Sequence, residues 1–330
     1  MGRAGTSIVR RSRPRTASRV NKSISLPLAQ GGFREGGVTQ EQPETSSQTI
    51  VADYARLLNT PVAAPDIDAP PFSTDLPKRD AGKKCALLLS AHPDDECLTG
   101  VLPLRLLREQ NWQIINIALT LGSNSSRRME RKKEVEKACA VLGFAGALPE
   151  ENGFSDINPA ARNADADAWN KKVKRLSEII AHFRPQVIVM PHANDGHATH
   201  VGTYLLGMDA LALMPQDFTC TVALTEYWQQ IADPNTMIAV KEDDLATLMS
   251  ALACHAGENA RNAYDRRFPA LLIDTVRRGE ILAGQGKAAP AITFGQMVKL
   301  GTWLKGRFVP SALNRVVGTS TTDSISALFA

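Results

Sequence analysis

The chain has 330 residues, of which 43% are hydrophobic and 22% charged, so it can bury one large core or two modest ones. This composition excludes a chain that is disordered throughout. No stretch approaches the roughly 18 consecutive apolar residues that a membrane-spanning helix needs. The five cysteines are odd in number, scattered and free of Cys-x-x-Cys spacing, which argues against a disulfide framework and a thiolate zinc site. We therefore expect a reducing compartment, the cytoplasm.

The net charge of +4 is concentrated at the amino end of the chain. Residues 1–35 hold eight Lys and Arg against one acidic residue, which gives +7 and leaves −3 for all the rest. The body of the chain therefore lacks the basic surface of a nucleic-acid binder. We expect the partner to be a small molecule and expect neither nucleic-acid binding nor a membrane span. Composition and charge do not determine the oligomeric state.

The first 80 residues are predicted to form a disordered basic arm and a proline-rich linker. Residues 1–45 lack apolar periodicity and residues 61–77 are dense in proline, so neither segment can build a core. The acid-poor start is compatible with an organellar transit peptide, a solvated tail or an upstream start codon, and it lacks the apolar region of a secretory signal. A short helix with one apolar face is predicted over residues 51–58, and it could pack on the body.

From residue 84 onward, short apolar runs alternate with amphipathic segments. The pattern predicts an α/β protein with a Rossmann-like three-layer fold, in which helices cover both faces of a mostly parallel sheet. Strands are predicted over residues 85–91, 112–120, 145–148, 186–190 and 218–225. Helices are predicted over residues 95–109, 127–142, 165–183 and 200–213, with two more between 242 and 282. The folded domain is expected to span residues 81–310, followed by a loose tail over residues 311–330.

The loop after the first predicted strand carries a His-Pro-Asp-Asp-Glu sequence at residues 92–96. In open α/β sheets ligands bind outside the carboxyl ends of strands, which is where this loop lies. One-turn spacing lets His92 and Asp95 turn toward a common point that could hold a metal, and Asp94 could accept a proton from metal-bound water. The alternative is an ordinary helix start, because acids favour that end of the helix dipole.

The loop after the fourth predicted strand carries a second pair of histidines, His197 and His200. Two imidazoles on one side of a helix start, placed at the same sheet edge as the acidic loop, favour a functional site. In the same loop, His192 is predicted to be a structural residue whose hydrogen bonds are made within the loop, and not a ligand. Asp195 could cap the helix or orient an imidazole. His255, late in the chain, could reach the site from the far side.

These two loops together resemble the PIG-L/LmbE family of zinc-dependent N-deacetylases. The likeness covers about residues 83–260 and extends to Thr-Leu-Gly at 120–122, the Arg131 and Glu134 pair, and Thr-Glu-Tyr at 225–227. The resemblance implies a catalytic domain within residues 81–310 that carries one zinc ion, with His92, Asp95 and His200 as ligands. Asp94 would match the general base, and His197 would match the imidazole that stabilises the oxyanion or protonates the leaving amine.

The activity implied by the resemblance is removal of an acetyl or larger acyl group from the 2-amino group of a glucosamine-containing molecule. Arg131, Asp195 and His255 are expected to contact the substrate. Iron or another divalent ion could compete with zinc. The same site could cleave a larger amide, as in conjugate amidases. A catalytically idle metal- or sugar-binding domain is a further alternative, whereas a nucleotide-binding Rossmann protein is excluded because no Gly-x-Gly-x-x-Gly follows the first strand.

The sequence departs from the family pattern at three places. Ala198 and Thr199 stand between the late histidines where Pro-Asp is common, so the acid that would orient His197 is missing and Asp195 is a possible substitute. Ser123 stands where an acid often follows the Thr-x-Gly turn. The usual His-Ser-Gln element is His255-Ala-Gly here. These changes leave the expected metal ligands intact and affect substrate handling.

Overall fold

Five parallel strands form the centre of the sheet, in the spatial order β3-β2-β1-β4-β5. The computed structural model describes residues 45–283, 292–320 and 325–329. The strands are β1 (Cys85–Ser90), β2 (Gln113–Ala118), β3 (Ala145–Ala147), β4 (Val187–Pro191) and β5 (Cys220–Thr225). Every residue of β1 and β4 is buried, as expected for strands that are covered on both faces. All five match strands that were predicted from the sequence.

Four further strands extend the sheet beyond β5. They are β6 (Thr236–Ala239), β7 (Gly295–Leu304), β8 (Arg307–Pro310) and β9 (Arg315–Val317). Strand β7 runs antiparallel to β5 and β6, and β8 pairs with it as a hairpin. The nine-stranded sheet is therefore mixed, with a parallel core and an antiparallel edge that the sequence analysis missed.

Helices lie on both faces of this sheet. They are α1 (Ser47–Asn59), α2 (Asp95–Leu98), α3 (Val101–Gln110), α4 (Arg128–Leu142), α5 (Pro159–Ala164), α6 (Ala166–Phe183), α7 (Ala198–Ala212), α8 (Glu242–Ala253), α9 (Ala256–Asn262), α10 (Tyr264–Arg277) and α11 (Glu280–Ala283). One apolar core packs α2, α3, α4, α8 and α10 on one face, and a second packs α6 and α7 on the other. The predicted three-layer α/β fold is confirmed. Within the described ranges, no helix combines the length and apolarity needed to cross a bilayer.

The helix predicted over residues 95–109 is divided into α2 and α3. The break lies at Gly100, where a Cβ atom would clash with the Glu96 carbonyl oxygen. Thr99 also turns its hydroxyl back onto the Asp95 carbonyl, at 2.8 Å. The acidic loop therefore leads into its own short helix, α2, which is separate from α3. The region after Glu242, where two helices were predicted, holds four.

The segment between α1 and the first strand packs on the domain. Phe72 is 5% exposed, its ring lies against Gly146 of β3, and its backbone N–H donates to the Glu136 carboxylate at 2.7 Å. This ordered packing differs from the disordered linker expected from prolines alone. The predicted helix over residues 51–58 is present as α1, whose side chains are exposed. The basic arm, residues 1–44, lies outside the described residues.

The carboxyl-terminal segment also differs from the loose tail expected over residues 311–330. Arg315–Val317 form β9, which pairs in parallel with β6. Ile325 is fully buried, and the ring of Phe329 lies 5.4 Å from that of Trp112. The loose tail was predicted because this segment is rich in Ser and Thr. That composition does not reveal that a few of its apolar residues pack on the domain. From Ser47 onward the described residues form one compact unit.

Candidate metal centre and active site

Two loops meet at the carboxyl edge of the sheet, where β1 and β4 lie side by side. The first loop follows β1 and leads into α2, and the second follows β4 and leads into α7. The connections of β1 and β4 leave in opposite directions, toward β2 and toward β5, so their loops border a crevice. The structure therefore brings together the two histidine-bearing loops as the sequence analysis expected.

The donor atoms of His92, Asp95 and His200 converge on one point. His92 Nδ1 lies 3.3 Å from His200 Nε2 and 3.8 Å from Asp95 Oδ2, and His200 Nε2 lies 3.5 Å from Asp95 Oδ1. Ligands at zinc bond lengths of about 2.0–2.1 Å in a tetrahedron stand about 3.3 Å apart. The three side chains therefore lie close to the spacing that metal ligands need, and all three line the cavity.

Asp195 lies directly behind His200. Its Oδ1 is 3.1 Å from His200 Nδ1, and the Asp195 side chain is fully buried. A carboxylate in this position fixes the tautomer that presents Nε2 to a metal and raises the basicity of the ring. Asp195 was predicted from the sequence to contact substrate, and to cap the helix or orient an imidazole, with His197 as one candidate. It does pair with an imidazole, but the imidazole is that of His200, and Asp195 does not line the cavity where substrate would bind.

We expect Asp195→Ala to lower the zinc affinity of the protein by about 10-fold to 100-fold, the range found when the partner behind a metal-bound histidine is lost. Asp195→Asn should lose less, because its amide oxygen would keep a polar partner next to His200 Nδ1. Competition with a chelator measures both affinities. Asp217→Ala, which removes an exposed acid from a loop, is the matched control. Equal affinities in Asp195→Ala and the control would show that Asp195 does not support a ligand.

Asp94 has a strained backbone, with φ at 122°, a value that residues with a side chain rarely adopt. Such strain costs on the order of 1–3 kcal/mol and persists only where the surroundings impose it. Here the Glu96 carboxylate accepts from the Asp94 N–H at 3.0 Å, and the same carboxylate contacts His255 Nε2 at 2.6 Å. Glu96 and His255 are both fully buried. This buried pair supports the conformation of Asp94.

The position of His255 corrects one expectation from the sequence. It was expected to reach the substrate, yet it lies behind α2, fully buried, and does not line the cavity. Burial opposes ionisation of Glu96, but the charge and hydrogen bond of His255 and the backbone N–H groups outweigh it and lower the pKa of this carboxyl group. His255 therefore positions the loop and does not contact substrate.

We expect His255→Ala to lower the free energy of unfolding by about 2 kcal/mol, because the charged Glu96 loses a buried hydrogen bond. Urea denaturation measures this change. His182→Ala, which removes an exposed histidine at the end of α6, is the control and should change stability by less than about 0.5 kcal/mol. Equal free energies of unfolding for the two variants would show that the hydrogen bond between Glu96 and His255 does not stabilise the protein.

His197 lies at the mouth of the centre. It offers a nitrogen within 4.8 Å of the ligand nitrogens of His92 and His200, and its ring stacks on Trp228 with centroids 5.9 Å apart. Its Nδ1 accepts from the Thr199 N–H at 3.3 Å, which leaves Nε2 available. Thr199 backbone thus takes the orienting place of the missing acid. His192, by contrast, contacts the Gln229 carbonyl at 3.0 Å and is a satisfied loop residue, as predicted.

Burial and neighbouring charges shift the pKa values of the site residues in different directions. Burial, and then the charges of His200 and His197, hold the pKa of His92 well below its usual value, which favours the neutral ring. Burial opposes protonation of His200, but Asp95 and Asp195 outweigh it and raise its pKa. Burial, and then the Asp95 charge, raise the pKa of Asp94 well above its usual range. A nearby cation favours the ionised form of such a carboxyl group.

A cavity of about 510 Å³ opens in front of these residues. This volume lies in the range of small-molecule sites. Tyr227, Trp228 and Tyr264 supply aromatic surface, and Trp228 is 50% exposed at the rim. Arg131 also lines the cavity, and its Nη2 donates to the Pro93 carbonyl at 3.0 Å, so it fixes the acidic loop as well.

The fold and the site define a Rossmann-like α/β protein with a candidate metal centre at the carboxyl edge of its sheet. Residues 87–211 match the profile of the family described as "PIG-L: GlcNAc-PI de-N-acetylase". This stretch contains both histidine-bearing loops. The resemblance stated from the sequence is therefore confirmed over this part of the chain.

Curated relatives point to the same family. The chain is 27% identical over 166 residues to 1D-myo-inositol 2-acetamido-2-deoxy-alpha-D-glucopyranoside deacetylase 1 of Saccharopolyspora erythraea. This alignment covers 39% of this chain and 54% of the relative. The chain is 28% identical over 153 residues to the deacetylase of the same description from Mycobacterium leprae, which covers 38% and 49%. The chain thus spans about half the length of the curated relatives it matches.

Two solved structures show the same fold. N,N'-diacetylchitobiose deacetylase from Pyrococcus horikoshii matches with a TM-score of 0.50 and 15% identity, covering 81% of this chain and 95% of the other. GalB, the 4-carboxy-2-hydroxymuconate hydratase from Pseudomonas putida, matches with a TM-score of 0.50 and 17% identity, covering 66% and 95%. The two names describe different reactions, so the fold alone does not determine the chemistry.

Proposed function

We propose that this protein is a metal-dependent amide hydrolase that removes an N-acetyl or other N-acyl group from an N-acetylglucosamine-containing substrate. The observation that carries the proposal is the convergence of His92, Asp95 and His200 donors beside the buried carboxylate of Asp94. The match of residues 87–211 to a de-N-acetylase family supports the same reaction. The deacetylases named among the curated relatives support a glucosamine-type substrate.

Zinc is the metal that this donor set favours, with one ion per chain. Two imidazoles and one carboxylate with an open fourth position are the arrangement of catalytic zinc sites. Iron or another divalent ion could bind the same donors in the cell. When bound, the metal would polarise the acyl carbonyl and lower the pKa of a coordinated water molecule.

Asp94 is the proposed general base. It lies next to a ligand in sequence but is not among the converging donors, so its carboxylate can accept the proton of the attacking water. The oxygen of that water adds to the amide carbonyl carbon. The strained backbone at Asp94, supported by Glu96, holds the carboxylate in place during the transfer.

His197 is the proposed group for the leaving amine. With Nδ1 engaged by the Thr199 N–H, Nε2 can carry a proton toward the cavity. Proton transfer to the amide nitrogen accompanies cleavage of the C–N bond and releases a carboxylic acid and a free amine. The stacked ring of Trp228 keeps the imidazole plane fixed and offers an apolar face to a sugar ring.

A panel of N-acetylglucosamine conjugates, incubated with the zinc-loaded protein, tests the proposal. We expect release of free amine and acetate in equal amounts, and loss of both in His200→Ala, which lacks a ligand. Conjugates with larger acyl groups in the same panel distinguish a deacetylase from a conjugate amidase. Absence of amine release from every conjugate, with zinc bound, would refute the hydrolase assignment and favour an idle binding domain.

A further inference from the structure

The loop after β5, residues 226–231, lies against the second histidine-bearing loop. It carries Tyr227 and Trp228, and we call it the aromatic loop. The Tyr227 backbone N–H donates to the Asp195 carboxylate at 3.3 Å. The ring of Trp228 stacks on that of His197, with an angle of 27° between the two planes. The position of the aromatic loop therefore affects how the His197 ring is held.

A buried ion pair joins the two ends of the aromatic loop to a helix. Glu226, the first residue of the loop, accepts through Oε2 from the backbone N–H of Ile231, the last residue, at 2.7 Å. The Oε1 atom of the same carboxylate pairs with Arg278, at the carboxyl end of α10. The Arg278 and Glu226 side chains are 8% and 9% exposed. One carboxylate thus closes the loop and ties it to α10.

Packing contributes little to holding the aromatic loop in place. Trp228, Gln229 and Gln230 are exposed, and a small cavity of about 30 Å³ lies between the loop, α10 and β7. A segment with few buried apolar contacts opens at a low cost in free energy. Polar contacts must therefore fix the loop, and the ion pair of Glu226 with Arg278 is a buried one.

The stability of the fold does not by itself explain this ion pair. Moving two charges out of water is unfavourable, and well-packed apolar residues in the place of such a pair are often as stable or more stable. Arg278 Nε is also buried without a hydrogen-bond partner among the described residues. The pair does fix geometry, because one oxygen of Glu226 is held by α10 and the other by the end of the loop.

We propose that Arg278 is a positioning residue for the reaction. Through Glu226 it fixes the aromatic loop, and through Trp228 the loop holds the His197 ring at the metal centre. This inference rests on the proposed function, in which His197 delivers a proton to the leaving amine. Arg278 itself does not line the cavity in front of the metal centre. It also lies outside residues 87–211, so the family match assigns it no role.

Arg278→Met in the zinc-loaded protein tests the inference. We expect kcat for an N-acetylglucosaminide to fall about tenfold or more, because misplacing a catalytic group such as His197 by about 1 Å can cost about 10²-fold. Arg277→Met, at the exposed neighbouring arginine that pairs with Asp274, is the matched control and should keep kcat. If the charge left on Glu226 unfolds the protein, Glu226→Gln combined with Arg278→Met removes both charges and should show the same loss.

A double-mutant cycle tests whether the effect passes through Trp228. In a Trp228→Ala background, Arg278→Met should lower kcat by less than about twofold, because the contact through which it acts is already lost. An undiminished loss in that background would overturn the inference. Arg105→Met breaks another buried ion pair, with Glu109 on α3, and should lower the melting temperature without lowering kcat. An equal loss of kcat in Arg105→Met would trace the effect to stability and also overturn the inference.

Acrylamide quenching of tryptophan fluorescence gives a measurement that does not depend on activity. Trp228 is half-exposed and the other three tryptophans are buried, so quenching reports chiefly on Trp228. We expect the quenching constant to rise in Arg278→Met, because the released ring loses its cover, and to stay unchanged in Arg277→Met.

The outcomes separate the inference from the proposed function. Full kcat, or unchanged quenching, in Arg278→Met overturns the inference and leaves the hydrolase assignment standing. Loss of bound zinc in Arg278→Met also overturns it, because the effect would then lie at the ligand His200 and not at His197. Absence of hydrolysis by the unmodified protein counts against the hydrolase assignment. In that case quenching decides the inference: a higher constant in Arg278→Met supports it, and an equal constant refutes it.

Discussion

Asp94→Asn should retain zinc and lose turnover by about 10²-fold or more. The amide has nearly the shape of the carboxylate, so the cavity is preserved, but it cannot accept the proton of water or return it, and loss of a general base has an effect of this scale. The contacts that join the proposed ligands run between His92, Asp95 and His200 and do not involve the Asp94 side chain, so the substitution leaves these ligands in place. Bound zinc by elemental analysis and amine release from an acetamide substrate measure the two properties.

The assignment of Asp94 fails if the variant loses zinc while Asp95→Ala retains it, because the two adjacent carboxylates would then have exchanged roles. It also fails if Asp94→Asn hydrolyses an acetamide substrate as fast as the unmodified protein. Asp217→Asn, an equivalent change at an exposed loop acid, controls for the loss of one negative charge.

Asp95→Ala should instead lower zinc affinity, by about 10²-fold or more, since removing a ligand should exceed the effect of removing a partner behind one. Asp95 also accepts from the His92 N–H at 2.8 Å, so its loss loosens the loop that carries a second ligand. Added zinc should restore part of the activity if the pocket stays folded. Zinc titration followed by rate measurement tests this. An unchanged affinity would remove Asp95 from the ligand set.

The parallel core and the meeting of the two loops could be predicted from sequence because both depend on local signals. Strands β1 and β4 are continuous apolar runs, and each is followed at once by a histidine-bearing loop. Parallel strands place their carboxyl ends at one edge, so adjacency of the loops follows from the alternation of strands and helices alone.

The antiparallel edge could not be predicted because its pairing is non-local. Strand β7 mixes Gln296, Lys299 and Gly301 with apolar residues, a pattern that identifies neither a face nor a partner. It pairs with β5, some 70 residues earlier, and with β6. Only the assembled sheet shows why it is a strand: its apolar residues, such as Val298, complete the core beneath α10.

The sequence also could not show which side chains pair with each other around the site. Asp195 is two residues from His197 and five from His200, and the turn into α7 decides that it pairs with His200. His255 carries no local sign that its partner is Glu96, 159 positions away. Trp228 and Arg261 were missed as cavity residues, because each lies in a segment with no chemical pattern of its own.

The packing of Phe72 determines where the folded unit begins. Its ring fills the space that the missing side chain of Gly146 leaves open, and its backbone N–H, together with Lys132, satisfies the Glu136 carboxylate. The Leu148 N–H, just beyond β3, donates to the Ser73 carbonyl. A domain boundary drawn at β1, where the sheet starts, would remove Phe72 from the core and leave the Glu136 carboxylate without its backbone N–H donor.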